Sequence, residues 1–313
     1  MAIITLTTDF GTDDPYVGFM KGVILAIAPG TTIVDLTHAI PPQDIRQAAW
    51  VLGTSIAYFP AGTIHLAVVD PGVGSTRRAL ALEVDGALLV GPDNGIFSAI
   101  LGRFRGQSRG WAGPHPDPLP REEGTASSRG RMRAVALTNP AFHRRPISPT
   151  FHGRDIFAPA AAHLARGVPL EELGPIVDDP AIIDLPQPRE VGAELEIHVV
   201  RIDHFGNLIT DLSAEQWGTW AGAGEAPEAA SAARARSDAQ ALADKPPVAP
   251  TAPEVWSGAV PICGVALTFS DVAPGHAVAY LGSSGYMEIA VRNNHAARKL
   301  HLGIGAPLRL RRT

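Results

Sequence analysis

Up to about residue 101, runs of strand-forming residues take turns with runs of helical spacing: IITLTTDF, YVGFMKGVILAIA, TTIVDLTH, QDIRQAAWVLGTSIAYF and TIHLAVVD. Strands separated by helix-length segments read as βαβ units, and such units force a largely parallel sheet covered by helices. Asp44, just after Pro41 and Pro42, is placed to cap the second helix. ALALEVDG and ALLVGP then read as a hairpin turning at Asp85 and Gly86. Further on, GRDIFAPAAAHLARG has the spacing of a helix, with Gly167 as its stop. From about residue 190 the texture changes. ELEIHVVRID, NLITDLS, ICGVALTF, AVAYLG and YMEIAVR are short, β-rich and broken by Gly, Asn and Pro, which suggests a compact antiparallel sheet or barrel. The expected fold class is therefore α/β, with an amino-terminal α/β domain over 1–188 and a smaller carboxy-terminal antiparallel β domain over 189–313.

Two stretches interrupt this plan. Residues 103–147 are rich in Pro, Gly, Ser and Arg, with the short strand AVALTN near their end, and residues 218–256 are an Ala- and Pro-rich stretch of low complexity. Both read as insertions that supply no core. The first holds nine arginines and no lysine against three acidic residues, the one local hint of a nucleic-acid contact. No aromatic ladder accompanies the arginines, so a solvated insertion is the better reading. The formal charge of −5 excludes coating of nucleic acid by bulk charge. A single cysteine, Cys263, rules out an intramolecular disulfide and fits a reducing compartment. The amino terminus lacks the pattern of a secretory signal, and no apolar run reaches the about 18 residues of a membrane span. A cytoplasmic protein without membrane or nucleic-acid partners is expected.

Acidic residues gather where strands end or turn: Asp9, Asp13 and Asp14 after the first strand, Asp70 after the third, Asp93 in GPDNG, Asp155 in FHGRD and Asp203 in IDHFGN. Any one of them could be a turn former, because an aspartate side chain bonds its own backbone. In a parallel sheet, however, the carboxyl ends of the strands are where ligands bind, so Asp9 and Asp70 could share a crevice. His38, His65, His143 and His152 supply imidazoles, yet no HExxH, zinc-type spacing or calcium loop is present, and no metal is expected. DPGVGSTRR lacks the GxxxxGK[ST] arrangement and carries Asp70 at its mouth, which argues against phosphate; no GxSxG elbow exists. A carboxylate buried at a strand end is costly unless paired, and Arg77, reached around a glycine turn, can hold Asp70 ionised and aimed. On these residues alone, a simple ion pair closing the turn is an equal reading.

Taken together, TTDFGTDDPYVGFMKG, VVDPGVGSTRRA, GPDNG, FHGRDIFAPAAAHL, RIDHFGNLITD and LGSSGYMEIAV resemble the S-adenosyl-L-methionine (SAM) hydrolases, also called SAM hydroxide adenosyltransferases, relatives of the fluorinase and chlorinase. The resemblance implies a two-domain trimer with active sites between subunits and no cofactor beyond the substrate. It assigns catalysis to Asp70, Arg77 and His152. It gives Asp9 the ribose hydroxyls, Asp203 the methionine ammonium and Asn207 the adenine edge. Phe205 and Phe269 would flank adenine, and Trp50 would line the ligand; from the sequence alone, core is the better reading of these three aromatics. Ser283 and Ser284 would meet the methionine carboxylate, although the halogenases carry Ser-Arg there. Asp13, Glu288, Arg292 and Asn293 complete the expected substrate contacts, the last two through an adenine-facing backbone.

The implied reaction is hydrolysis at ribose C5′ by a water that Asp70 orients. The halogenases carry tyrosine at the position of Asp70. A carboxylate 4 Å from a halide costs about 4 kcal/mol at an effective dielectric near 20, whereas neutral water can donate to it. Two rival readings follow the same residues: a SAM- or adenosine-binding sensor with negligible turnover, and a SAM-dependent halogenase.

Overall fold

The computed structural model describes residues 1–104, 132–221 and 251–312. The chain forms two compact units, the first ending at Leu185 and the second beginning at Pro186.

The first unit is built on a six-stranded sheet of order β2-β1-β3-β5-β4-β6, comprising β1 (Ile3–Thr8), β2 (Thr32–Thr37), β3 (Ile64–Val68), β4 (Ala79–Val84), β5 (Ala87–Pro92) and β6 (Met132–Ala136). β2, β1, β3 and β5 run parallel, and β4 is antiparallel to both β5 and β6. The β4–β5 hairpin turns at Asp85 and Gly86, both at positive φ (49° and 81°), the pairing a tight two-residue hairpin requires.

Alternate residues of the strands face opposite layers. Ile4, Leu6, Ile64, Leu66 and Val68 pack with Val17, Met20 and Ile24 of α1 (Tyr16–Ile27) and with Ala160, Ala161 and Leu164 of α4 (Ala158–Ala165). α2 (Ile45–Ser55) and α3 (Ser98–Phe104) contact each other. Asp44 caps α2 by accepting a hydrogen bond from the Gln47 amide at 2.9 Å. A single π-helical turn, Gly153–Phe157, leads into α4, and Gly167 at φ 86° follows the helix end. Among the described residues no helix is long and apolar enough to cross a membrane.

Thr5 and His65, partners in the β1–β3 register, are both buried and joined by a 2.8 Å hydrogen bond to Nδ1. Burial pushes the His65 imidazole down to about 4. The folded state therefore binds fewer protons than the unfolded one between pH 6.5 and about 4, so stability is lost as pH falls through that window. At 1.36 kcal/mol per pH unit the loss amounts to about 3 kcal/mol. A Thr5→Val/His65→Leu double variant, apolar on both sides, is expected to lack this component. Urea unfolding at pH 7 and pH 4 checks it, and parallel pH profiles for variant and parent would refute it.

The second unit is a barrel of order β14-β10-β11-β12-β13-β9-β8-β7, closed by β14 pairing back onto β8. Its strands are β7 (Arg189–Val191), β8 (Glu194–Ile202), β9 (Leu208–Ser213), β10 (Thr251–Ser257), β11 (Val260–Val265), β12 (Ala277–Leu281), β13 (Tyr286–Val291) and β14 (Pro307–Arg311). Every pairing is antiparallel except the contact of Val265 with Ala279 between β11 and β12. Ile197, Val199, Leu208, Leu212, Met287 and Ile289 fill the interior, together with Trp217 and Trp220 of α5 (Ala214–Ala221) and Ala296 and Ala297 of α6 (Ala296–Leu300).

The expected insertion over 103–147 is too long at both ends. Arg103 belongs to α3, and Met132–Ala136 is the sheet's edge strand β6, whose Arg133 pairs with Glu83 on β4 and with Glu171. The expected insertion over 218–256 likewise takes in the end of α5 and most of β10. Residues 137–147 are ordinary folded chain as well, with a short 3-10 turn at Pro140–Phe142, and only 105–131 and 222–250 lie outside the described residues.

Candidate active site

β1 and β3 are adjacent and parallel, with Thr8 in register with Val68. Their next residues, Asp9 and Val69-Asp70, leave the sheet side by side at its carboxyl edge, where backbone turns away and side chains can converge on a ligand. The loop after Asp70 is pinned by its own short bonds. The Val73 amide donates to the Asp70 carbonyl at 3.2 Å, and the Ser75 hydroxyl donates to the Gly72 carbonyl at 2.6 Å. Gly74 adopts φ 78° and lies so near the Pro149 carbonyl that a Cβ would approach its oxygen to 2.5 Å, so only glycine fits there. Asn94, in the GPDNG turn after β5, donates to the Val69 carbonyl at 2.9 Å and ties the strand end from the other side.

This loop returns Arg77 to Asp70 in a two-pronged contact. Nε donates to Oδ1 at 2.8 Å and Nη2 donates to Oδ2, with the two side chains 10% and 5% exposed. Nη2 also lies 2.9 Å from His152 Nδ1. A guanidinium only donates, so His152 Nδ1 accepts and the ring proton sits on Nε2. Burial first, and the Arg77 charge second, lower the His152 pKa from its ordinary value, although Asp70 and Asp155 oppose this. His152 is thus a neutral imidazole with an N–H to offer. Arg77 is seated 5.2 Å above the Phe157 ring, in the π-helical turn that follows His152.

The neighbouring Arg78 has a separate task, donating to Asp93 at 2.6 Å and to Asp179 at 2.7 Å. Asp155, fully buried, is also structural. It accepts from Arg154 at 2.7 and 2.8 Å, from Arg144 at 3.1 Å and from the Ser148 amide at 2.8 Å. Desolvation alone would raise its pKa, and these donors reverse that into a lowering.

Of the other residues expected in the first unit, Asp9 is partly exposed and accepts from the Gln43 amide at 2.8 Å. Asp13 is exposed. Trp50 is 7% exposed, within the buried run Gln47–Thr54 of α2.

In the second unit, Asp203 and Asn207 close a tight loop. Asp203 accepts from the Asn207 amide at 2.8 Å and from its side chain at 2.9 Å, so Asn207 braces the acid. Phe205 and Phe269 are 75% and 55% exposed, which removes them from the barrel core and leaves flat apolar faces available to a ring. Glu288 on β13 is buried; Tyr280 donates to it at 3.0 Å and Ser284 at 3.1 Å. Burial, assisted by the Asp203 charge and against the pull of these two donors, raises its pKa. Gly282 leaves the room, since a Cβ there would stand 2.0 Å from Glu288 Oε1. Ser283 shares the same β12–β13 turn.

Arg292 does not present its backbone freely. Its N–H donates to the His276 carbonyl at 3.0 Å, its C=O accepts from Gly275 at 2.8 Å, and its guanidinium holds the Ser270 and Val272 carbonyls at 3.1 and 2.7 Å. It therefore fixes the loop that carries Phe269. Asn293 follows in a left-handed turn at φ 56°. Sequence reasoning overlooked Tyr280, Asn94 and Phe157, although Asn94 lies in the GPDNG turn and Phe157 in FHGRDIFAPAAAHL. Among the described residues no grouping of three or more His, Cys, Asp or Glu is arranged to hold a metal ion.

An α/β unit with a preorganised carboxylate at the carboxyl edge of its parallel sheet, joined in one chain to a closed β-barrel, defines a class of two-unit proteins equipped to polarise a water molecule. The description "SAM hydroxide adenosyltransferase N-terminal domain" matches residues 4–123 and 122–174, and "SAM hydroxide adenosyltransferase C-terminal domain" matches residues 251–309. The chain belongs to the SAM hydroxide adenosyltransferase family. It is 39% identical to an (R)-S-adenosyl-L-methionine hydrolase of Thermus thermophilus, over 99% of this chain and 100% of that one. It is 35% identical to the protein of that name from Salinispora tropica, over 98% and 97% of the two chains. A fluorinase of Actinoplanes is 32% identical over 67% of this chain and 71% of its own. A crystal structure of an uncharacterized conserved protein from Thermotoga maritima superposes with a TM-score of 0.77 at 27% identity, covering 100% of both chains.

Proposed function

We propose that the protein hydrolyses S-adenosyl-L-methionine at ribose C5′, releasing adenosine and L-methionine. The observation that carries this reading is the Asp70–Arg77–His152 cluster, which offers a water molecule one fixed carboxylate acceptor and one neutral imidazole donor. The sulfonium makes methionine a neutral leaving group, so departure needs no acid. The water oxygen forms a bond to C5′ as the C5′–S bond breaks, its electron pair stays on sulfur, and the released proton passes to Asp70. A carboxylate is too weak a base to make free hydroxide beforehand, so proton transfer accompanies or follows attack. Arg77 holds the Asp70 carboxylate aimed, and His152 Nε2–H steadies the water oxygen. No cofactor enters the reaction.

In the same reading Asp9 accepts the ribose hydroxyls, Asp203 the ammonium, and Phe205 and Phe269 enclose adenine. The names of the relatives point to the R configuration at sulfur for the substrate. The reading extends to a cytoplasmic homotrimer with sites between subunits. The test is turnover of SAM in ¹⁸O-labelled water, with products resolved by chromatography and mass spectrometry. Methionine and adenosine labelled at the 5′ oxygen are expected. Unlabelled adenosine, or SAM retained without turnover, would refute hydrolysis at C5′.

A further inference from the structure

A row of close polar contacts runs from the surface of the first unit, through the buried His38, to the residue before Asp9, and the reaction just described makes no use of it. Lys21 donates to Asp35 Oδ2 at 2.6 Å. Asp35 Oδ1 lies 3.1 Å from His38 Nε2, and His38 Nδ1 lies 2.9 Å from the Thr8 hydroxyl. The His38 side chain is only 5% exposed and Thr8 is fully buried, whereas Lys21 and Asp35 reach solvent. The Asp35 contact is a close approach of charge without hydrogen-bond alignment, and His38 Nε2 has no hydrogen-bond partner among the described residues; with the ring hydrogen on Nε2, beside the carboxylate, Nδ1 accepts from Thr8 O–H. The Thr8 oxygen in turn accepts from the Phe10 amide at 3.2 Å, so one hydroxyl braces the main chain on the far side of Asp9.

The same histidine also holds the loop through its backbone. Its carbonyl accepts from the Gly11 amide at 2.9 Å, and two residues on, the Ile40 amide donates to the Thr8 carbonyl at 3.4 Å. The segment ends at Gln43, held at φ 67°, whose amide is the donor to Asp9 Oδ2. Residues 8, 10 and 11 on one side of the contact and residues 38, 40 and 43 on the other therefore fix the Asp9 carboxylate from both flanks. A β-bulge makes the arrangement possible: β1 and β2 pair Leu6 with Asp35 but Thr7 with Thr37, and this slip of one residue carries His38 past the strand end to Thr8.

We propose that His38, supported by Asp35 and Lys21, is a positioning residue that sets the Asp9 carboxylate for the two ribose hydroxyls. This rests on the reading of Asp9 given above. Two oxygens must meet two vicinal hydroxyls at once, so a small rotation of the carboxylate weakens both bonds together, while a single-hydroxyl contact would tolerate it.

The experiment is a comparison of two substrates, SAM and its 2′,3′-dideoxy analogue, with parent protein, His38→Leu and His38→Gln. With SAM, His38→Leu is expected to lower kcat/KM by about 30-fold, mostly through KM, and His38→Gln, which keeps an acceptor and a donor, by about fivefold. With the dideoxy analogue the same variants are expected to stay within about twofold of the parent, because the contact they orient no longer exists. Equal losses on both substrates would reduce His38 to a structural role and overturn the proposal, as would parent-like kinetics of His38→Leu. Should His38→Leu not fold, Asp35→Asn, on a partly exposed side chain, must show the same substrate contrast, and its absence overturns the proposal. A parent protein that processed SAM and the dideoxy analogue alike would overturn the Asp9 assignment beneath it.

Discussion

Asp70→Asn is expected to lower kcat for adenosine release about 10³-fold while KM changes less than about threefold, because general-base assistance is worth roughly 10²–10⁴ in rate and this residue has no contact reserved for ground-state binding. Asparagine keeps the shape of the side chain and one acceptor oxygen. It can still take a hydrogen bond from Arg77 and receive one from a water, but it cannot accept the proton that water sheds as the C5′–O bond forms. Orientation survives in this variant and basicity does not, which separates the two roles that the carboxylate combines. Single-turnover measurement with excess protein checks the chemical step without interference from product release. A rate within about threefold of the parent would remove Asp70 from the proton path and leave it as the electrostatic partner of Arg77 alone.

The alternation of strand and helix runs made the first unit legible, because parallel order needs helical crossovers and their residues have the spacing of one-sided burial. It also made the convergence of Asp9 and Asp70 readable: once β1 and β3 are parallel neighbours, their ends must share an edge. The choice between Arg77 and Arg78 was not settled by adjacency. It is made by partners distant in sequence, Asp93 and Asp179 drawing Arg78 away and His152 joining Arg77. AVALTN was legible as a strand, but the start of β6 was not, because it is an edge strand that begins with Met132 and Arg133 directly after an Arg-rich stretch. Trp50 illustrates the converse: helical periodicity gives one apolar face, but Gln47 through Thr54 are buried all round, which depends on what packs against α2. His38 was visible as an imidazole but its partner was not, because its meeting with Thr8 depends on a bulge between Leu6 and Thr7.

Arg77→Met is expected to cost about 3 kcal/mol of stability at pH 7, and adding Asp70→Asn to it is expected to restore most of that loss while activity stays abolished. The argument turns on the asymmetry of a buried ion pair. With Arg77 present, both carboxylate oxygens of a side chain that is 5% exposed are satisfied. Removing only the guanidinium leaves a desolvated charge whose own options are to draw in water or to protonate, and either weakens the loop that ends at Arg77. Methionine keeps most of the aliphatic volume over Phe157, so lost packing is a minor part of the effect. Converting Asp70 to a neutral amide then removes the charge that had been stranded. Urea unfolding of the four proteins, with unchanged m-values, gives the coupling directly. A cost below about 1 kcal/mol for Arg77→Met would mean that water already solvates Asp70, and the carboxylate would then be neither fixed nor desolvated enough to select one attacking water.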